Sequence, residues 1–301
     1  MAPPQMPGAP FGRVLTAMVT PMTADGAVDY DATQVLAKRL IDAGGDGIVV
    51  SGTTGESPTT SDEEKERLIR AVLEAVGDRA HVVAGAGTND TAHTVELARQ
   101  AEKAGAHGLL VVTPYYNKPP QEGLLAHFRS VADATGLPTM LYDIPGRSGV
   151  PIKTETLLQL AEHDRIVAVK DAKGDLYETS KVLAATDLAY YCGEDAINLP
   201  MLALGAVGLV SVVAHVCAAE YAAMVRAVDA GDLAGARRIN AAVLPAVRGV
   251  MMHTQGAIAA KAALQLLGVI AHRTTRPPLV DASDELVAEI RRDLAEAGLL
   301  A

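Results

Sequence analysis

The residue of this chain with the clearest chemical potential is Lys170. Four apolar residues, 166–169, lead directly into it, and a continuous apolar run of this kind predicts a strand buried on both faces. A lysine at the end of such a strand is uncommon unless it is paired or used. It could pair with Asp171 or extend into solvent. Alternatively, burial lowers its pKa and leaves a neutral amine, which can form a Schiff base with a carbonyl compound.

Two further segments carry groups that could bind a carboxylate. Thr53 and Thr54 lie between glycines in Gly-Thr-Thr-Gly-Glu-Ser, residues 52–57, where hydroxyls and backbone N–H groups are available, although a tight turn is the commoner use of such a segment. Arg147 follows a Pro-Gly pair on a predicted loop. Its guanidinium could clamp a carboxylate with two parallel hydrogen bonds, whereas most loop arginines are simply solvated.

Tyrosines are concentrated near the same places. The chain has 8 Tyr, 2 Phe and no Trp, yet Tyr115, Tyr116 and Tyr142 all fall at predicted carboxyl ends of strands. Aromatic side chains there could merely close the mouth of a barrel. A phenol is also able to donate or relay a proton beside an imine.

Other common reaction centres are missing from the sequence. The eight histidines are scattered and form no metal-binding motif, which argues against a metal site. The first predicted strand is not followed by a Gly-x-Gly-x-x-Gly fingerprint, and no Gly-x-Ser-x-Gly elbow occurs. We therefore predict neither a metal nor a bound cofactor.

Composition and charge narrow the class of protein. The formal net charge of −10 and the sequence pI of about 5.3 argue against nucleic acid and anionic membranes as partners, and with no signal peptide visible we expect a cytoplasmic protein. Residues 199–225 are almost wholly apolar and long enough to span a membrane. Because Gly205 and Gly208 divide them, we predict instead a helix, a turn, a buried strand and a second helix from about Cys217.

The elements that must position these groups alternate along the chain. Eight short apolar runs predict strands buried on both faces, at residues 15–20, 47–51, 81–85, 108–113, 139–144, 166–170, 189–193 and 208–213. Helical periodicity between them predicts helices at 30–43, 61–76, 91–104, 121–135, 154–162 and 176–186. Ser61 and Glu64 form a candidate capping box for the second helix. Such alternation predicts an α/β (β/α)₈ TIM barrel, with an open doubly wound sheet as the alternative.

The two ends of the chain differ from this pattern. Residues 1–11 are rich in proline and predict a disordered lead-in, and the barrel would then span residues 12–232. Strand signals stop near residue 232, and residues 233–301 predict a C-terminal helical domain with helices at 234–250, 257–267 and 284–297.

Together these motifs resemble the dihydrodipicolinate synthase family of pyruvate-dependent, Schiff-base-forming lyases, which includes N-acetylneuraminate lyase among its relatives. The resemblance runs from about residue 12 to residue 300 and rests on Gly-Thr-Thr-Gly-Glu (52–56), Tyr-Tyr-Asn (115–117), Tyr-Asp-Ile-Pro-Gly-Arg (142–147) and Val-Lys-Asp (169–171). It implies a TIM barrel and the condensation of pyruvate with L-aspartate 4-semialdehyde in lysine and diaminopimelate biosynthesis. It also favours the Schiff-base interpretation of Lys170.

The resemblance implies a role for each site residue. Lys170 would form the imine and Tyr142 would donate and accept protons there, while Thr53 would link Tyr142 to Tyr116 in a hydrogen-bonded relay. Four other residues would bind or surround substrate: Thr54 with Thr53 at the pyruvate carboxylate, Arg147 at the semialdehyde carboxylate, and Gly193 and Val210 along the pocket.

The resemblance also implies an oligomeric state, and the chain differs from the family pattern at two places. Tyr116 would reach in from a neighbouring subunit, so the family predicts a homotetramer made of two tight dimers. Asp143 stands where some branches carry asparagine, and we expect this to be tolerated. Lysine-sensitive relatives use histidines and a glutamate at a feedback site; the matching positions here are Asp62, Lys65 and His93. This added positive charge predicts weak or absent inhibition by lysine.

Two other functions stay open on the sequence. One is another pyruvate-dependent aldolase, acting on N-acetylneuraminate or a keto-deoxy sugar acid; Arg147 argues against it, because those enzymes tend to carry a smaller or apolar residue there. The other is a non-catalytic keto-acid sensor built on the same barrel. The presence of Lys170, Tyr142, Thr53 and Tyr116 together argues against it, because a sensor would lack part of the relay.

Overall fold

Eight parallel strands pair in chain order, and the eighth returns to pair with the first, so the sheet closes into a barrel. The computed structural model describes Pro3 and residues 8–300. The strands are β1 Val14–Ala17, β2 Gly47–Val50, β3 His81–Gly85, β4 Gly108–Val112, β5 Thr139–Asp143, β6 Ile166–Asp171, β7 Ala189–Cys192 and β8 Gly208–Ser211. The predicted (β/α)₈ barrel is therefore confirmed, and the open-sheet alternative is wrong.

Helices follow the strands and cover the barrel. They are α1 Tyr30–Asp42, α2 Asp62–Val76, α3 Thr91–Ala104, α4 Gln121–Asp133, α5 Pro145–Ser148, α6 Thr154–Leu160, α7 Leu176–Ala185, α8 Asn198–Leu204, α9 Ala214–Asp229, α10 Leu233–Val247, α11 Gly256–Leu266 and α12 Asp284–Glu296. The predicted capping box of α2 is present, because Ser61 accepts from the Glu64 N–H and the Glu64 carboxylate accepts from the Ser61 N–H. It satisfies two backbone donors that the helix itself leaves free.

Strand ends are where the predicted bounds differ most. The first strand was expected to reach residue 20 and the last to reach residue 213, but pairing stops at Ala17 and Ser211. Val19 and Val213 are nevertheless buried. An apolar run predicts which residues are buried, and these residues stay buried beyond the last paired residue. The apolar run is therefore longer than the paired strand.

The apolar segment 199–225 folds as predicted, with one correction. It forms α8, β8 and most of α9, but α9 begins at Ala214 rather than near Cys217, which is a non-helical kink inside it. Across Pro3 and residues 8–300, no helix combines the length and apolarity that a membrane crossing requires.

The described part of the predicted lead-in is ordered and closes one end of the barrel. Phe11 is fully buried, and its backbone N–H donates to the Tyr191 hydroxyl at 3.2 Å. A Cβ at Gly108 would lie 2.3 Å from the Phe11 ring, so only glycine admits that ring at the amino end of β4. Disorder up to residue 11 is thus wrong for residues 9–11, whereas residues 1, 2 and 4–7 lie outside the described residues.

The helices after residue 232 begin as the sequence indicated. Asp232 caps α10 by accepting from the Gly235 N–H at 2.8 Å, and α10 packs on α9 while α11 packs on α12. Whether residues 233–301 form a separate domain stays a prediction.

Candidate active site

A cavity of about 490 Å³ opens at the carboxyl ends of the strands, a size typical of small-molecule sites. Six of the predicted site residues line it: Thr53, Thr54, Tyr142, Arg147, Lys170 and Gly193. Because the carboxyl ends of parallel strands meet at one end of a barrel, residues more than a hundred positions apart in the chain are brought together.

Lys170 is the penultimate residue of β6, and its side chain is buried inside this cavity. Its burial lowers the pKa to about 8, an effect that the charge of Arg147 reinforces and that of Asp195 opposes. The alternative pairing with Asp171 is wrong, since the Asp171 carboxylate accepts from the Thr179 hydroxyl at 2.6 Å and from the Lys173 N–H at 2.8 Å. The amine is therefore neutral in about one molecule in ten at pH 7, far more often than an exposed lysine.

Gly193 provides the space that the Lys170 side chain occupies. A Cβ at this position would lie 2.9 Å from both Cγ and Cε of Lys170 and 3.2 Å from Cβ of Ala172. Any larger residue would displace the amine, so glycine is required by the close approach of β7 to the lysine stem.

Tyr142 stands directly beside Lys170. The two residues are register partners on β5 and β6, and Nζ of Lys170 lies 4.2 Å from the centroid of the tyrosine ring. Burial raises the pKa of Tyr142 to about 12. The phenol is thus protonated at neutral pH and available as a proton donor.

The segment with Thr53 and Thr54 is a compact turn. The Glu56 N–H donates to the Thr53 carbonyl at 3.1 Å and the Ser57 N–H donates to the Gly52 carbonyl at 3.2 Å, while the Thr20 hydroxyl donates to the Gly55 carbonyl at 2.7 Å. Both threonines line the cavity. The tight-turn and the binding interpretations are therefore compatible.

Arg147 lies on the short helix α5, at the cavity mouth. It is exposed, and within residues 8–300 no carboxylate forms an ion pair with it. Its guanidinium is consequently available to an anionic ligand.

The segment that carries Arg147 is anchored by Asp143. The buried Asp143 carboxylate accepts from the Ile152 N–H at 3.1 Å and from Nζ of Lys173 at 3.1 Å. Burial raises the pKa of Asp143, and the Lys173 ammonium counteracts that rise. Asp143 thus has its own cation in this chain.

Two predicted site residues are not brought to the cavity by this single chain. Tyr116 is 88% exposed and has a φ of +76°, and no hydrogen bond among the described residues joins the hydroxyls of Thr53 and Tyr142. Val210 is buried within β8, and Val212 lines the cavity in its place. The relay and the pocket role of Val210 stay predictions.

A metal ion in a protein is usually held by three or more His, Cys, Asp or Glu side chains. Across the described part of the chain, no group of three or more His, Cys, Asp or Glu side chains has a suitable arrangement.

The comparisons with known proteins bear on this site. A profile described as the "Dihydrodipicolinate synthetase family" matches residues 10–297. The chain belongs to this family.

Relatives and solved structures agree with the assignment. A protein from Kineococcus radiotolerans named 4-hydroxy-tetrahydrodipicolinate synthase is 70% identical over 293 residues, which cover 97% of this chain and 95% of that protein. A protein of the same name from Acidothermus cellulolyticus is 66% identical over 290 residues, which cover 96% of this chain and 94% of that protein. The lysine-bound structure of the Cyanidioschyzon merolae enzyme superposes with a TM-score of 0.93 at 43% identity and covers 97% of this chain and 99% of that one. As a member of the dihydrodipicolinate synthetase family, the chain is an enzyme of the lyase class.

This family member also has cavity residues that the sequence did not single out. Ser51, Glu194 and Met251 line the cavity. Ser51 is the last residue of the predicted strand 47–51 and Glu194 directly follows the predicted strand 189–193, so position alone could have suggested them. Met251 comes from a π-helical turn, Arg248–Met252, and nothing in its local sequence indicates that this turn reaches the barrel mouth.

Proposed function

We propose that this chain acts as a 4-hydroxy-tetrahydrodipicolinate synthase, which condenses pyruvate with L-aspartate 4-semialdehyde through a Schiff base on Lys170. The observation that carries the proposal is the buried amine of Lys170 beside the Tyr142 ring. The family membership and the relatives' names support the choice of substrates.

The first step is attack of the neutral Lys170 amine on the ketone carbon of pyruvate. The resulting carbinolamine loses water and becomes a protonated imine. Tyr142 supplies the proton that leaves with this water, since its raised pKa keeps the phenol protonated at neutral pH. The Tyr142 phenolate left by this step then takes a proton from the pyruvate methyl carbon, which gives an enamine.

The second half of the reaction uses the aldehyde. The enamine carbon attacks the aldehyde carbon of the semialdehyde, and a new carbon–carbon bond forms. The amino group of the semialdehyde then attacks the imine carbon, which closes the ring and releases Lys170. The product is the hydroxylated tetrahydropyridine dicarboxylate of lysine and diaminopimelate biosynthesis, with one water released overall.

Three residues bind the two carboxylates in this scheme. Thr53 and Thr54 receive the pyruvate carboxylate through hydroxyl and N–H groups of their turn. Arg147 receives the semialdehyde carboxylate, in keeping with a guanidinium that no described carboxylate neutralises.

We also propose a cytoplasmic homotetramer made of two tight dimers, in which Tyr116 completes the proton relay of a neighbouring subunit. The exposed tyrosine, held at a positive φ, supports this, because an aromatic side chain in that state gains contacts only when another surface covers it.

The test is a comparison of aldehydes under one set of conditions. Purified enzyme is incubated with pyruvate and either L-aspartate 4-semialdehyde or N-acetylmannosamine, and pyruvate consumption is followed. We expect turnover with the semialdehyde alone. Turnover with the sugar alone would instead favour the other aldolases, and pyruvate binding without turnover would favour a sensor.

A further inference from the structure

Lys261 and Glu56 form a buried ion pair that no step of the proposed reaction uses. Lys261 lies in α11 at 0% exposure and Glu56 lies after β2 at 2% exposure. The lysine also donates to the Thr274 carbonyl at 2.6 Å. Both charges lose their hydration on burial, and this cost can exceed the attraction between them. A contribution to stability is therefore not enough to explain the pair.

Arg276 extends this contact on the other side of Glu56. Its backbone N–H donates to the second carboxylate oxygen of Glu56 at 2.8 Å. Its guanidinium donates to both oxygens of Glu64, at 2.7 and 2.6 Å, and to the Thr59 carbonyl at 2.7 Å. The segment between α11 and α12 is thereby fastened to the loop between β2 and α2.

Glu56 belongs to the turn that carries the two threonines of the cavity. It has a φ of +58° and a ψ of +39°, a left-handed conformation that a residue with a side chain rarely adopts unless its surroundings impose it. Its N–H donates to the Thr53 carbonyl. The position of the Glu56 carboxylate therefore fixes the backbone that Thr53 and Thr54 share.

We propose that Lys261 and Arg276 are positioning residues, which act through Glu56 to hold Thr53 and Thr54 where the pyruvate carboxylate binds. Neither cation lines the cavity, so the effect is indirect. The inference rests on the proposed function. It assigns to the segment after residue 232 a part in keto-acid affinity.

The decisive experiment is the steady-state kinetics of the full-length Lys261→Met variant. Loss of the ammonium leaves Glu56 without its partner, and the threonine turn relaxes. We expect KM for pyruvate to rise by roughly tenfold while KM for the semialdehyde changes by less than about twofold. A purely structural role would lower the folded fraction, and thus kcat, with both KM values unchanged.

Arg273→Gln is the matched control. Arg273 lies in the same segment and donates to the Ala282 carbonyl and to Asp284, both at 2.9 Å, but it does not contact the threonine turn. It should leave KM for pyruvate unchanged. A second variant, Arg276→Gln, removes the outer contacts to Glu64 and keeps the backbone N–H bond to Glu56, so it should raise KM for pyruvate by less than Lys261→Met does.

The outcomes separate the inference from the proposed function. An unchanged KM for pyruvate in folded Lys261→Met overturns the inference; if that variant does not fold, an unchanged KM in Arg276→Gln does so. If wild-type enzyme forms no pyruvate adduct on Lys170, the proposed function fails first. A selective rise in KM for pyruvate supports the inference.

Discussion

Nζ of Lys170 lies 4.2 Å from the centroid of the Tyr142 ring, and the two residues are register partners on adjacent strands. A charged ammonium over an aromatic face is favoured, yet burial lowers the pKa of this lysine to about 8. The largest cause is desolvation of the buried amine, and the charge of Arg147 adds to it. An amine in this position thus loses its proton more readily than an exposed lysine does.

The first prediction concerns pH. Only the neutral amine attacks pyruvate, so the rate of imine formation should rise with pH and level off above about pH 8, where Lys170 has lost its proton. Rapid-mixing experiments with pyruvate alone, from pH 6 to pH 9.5, measure this rate. An ordinary lysine would instead show a rate still rising tenfold per pH unit at about pH 9.5.

The second prediction concerns stability. Below pH 8 the folded protein keeps a buried positive charge, whereas the unfolded chain exposes it. Lys170→Met should therefore raise the free energy of unfolding at pH 7 by on the order of 3 kcal/mol. This advantage should shrink as the pH rises from about 8 towards 10.5, the usual pKa of an exposed lysine, because the wild-type lysine then loses its proton in the fold before it does so in the unfolded chain.

Urea denaturation at pH 7 and pH 9.5 measures that difference. Lys173→Met is a useful comparison, because Lys173 has a carboxylate partner in Asp143. A Lys170→Met variant that is less stable than wild type at both pH values would contradict the account of a desolvated amine.

The third prediction concerns Asp143 and its cation. Lys173→Met leaves a buried carboxylate without its partner and should lower the free energy of unfolding by roughly 1–3 kcal/mol. In the double variant Asp143→Asn/Lys173→Met, the asparagine oxygen can still accept from the Ile152 N–H, so part of that loss should be recovered. The idea fails if the double variant is less stable than Lys173→Met.

The fourth prediction concerns inhibition by lysine. Nζ of Lys65 lies 3.4 Å from one oxygen of Asp62, and Nε2 of His93 lies 2.9 Å from the other. The only carboxylate among these three positions is thus already engaged by groups that carry or can carry positive charge. We expect little inhibition in a steady-state assay with L-lysine, and strong inhibition at low millimolar concentration would refute this.

Whether a feature could be predicted from the sequence depends on how far apart in the chain its residues lie. Strand starts and helices could be predicted from apolar periodicity and caps, because these signals are local. Lys170, Tyr142 and Arg147 could be placed at one end of the barrel because parallel strands end together. The contact of Lys261 with Glu56 could not be foreseen, since it joins residues 205 positions apart.

The resemblance supplied what local patterns could not. It favoured a Schiff-base role for Lys170 over a solvated lysine, and it predicted a role for Tyr116, whose side chain faces solvent in a single chain. Conversely, the place of Met251 at the cavity depends on how the helices after residue 232 fold back over the barrel, which neither periodicity nor motifs specify.

The most direct test of the central claim is chemical trapping. Enzyme is treated with pyruvate and sodium borohydride, digested and analysed by mass spectrometry. The account predicts one adduct, with the mass of pyruvate less one oxygen atom, on the peptide containing Lys170, and none in Lys170→Met. An adduct confined to another lysine, or no adduct at all, would contradict it.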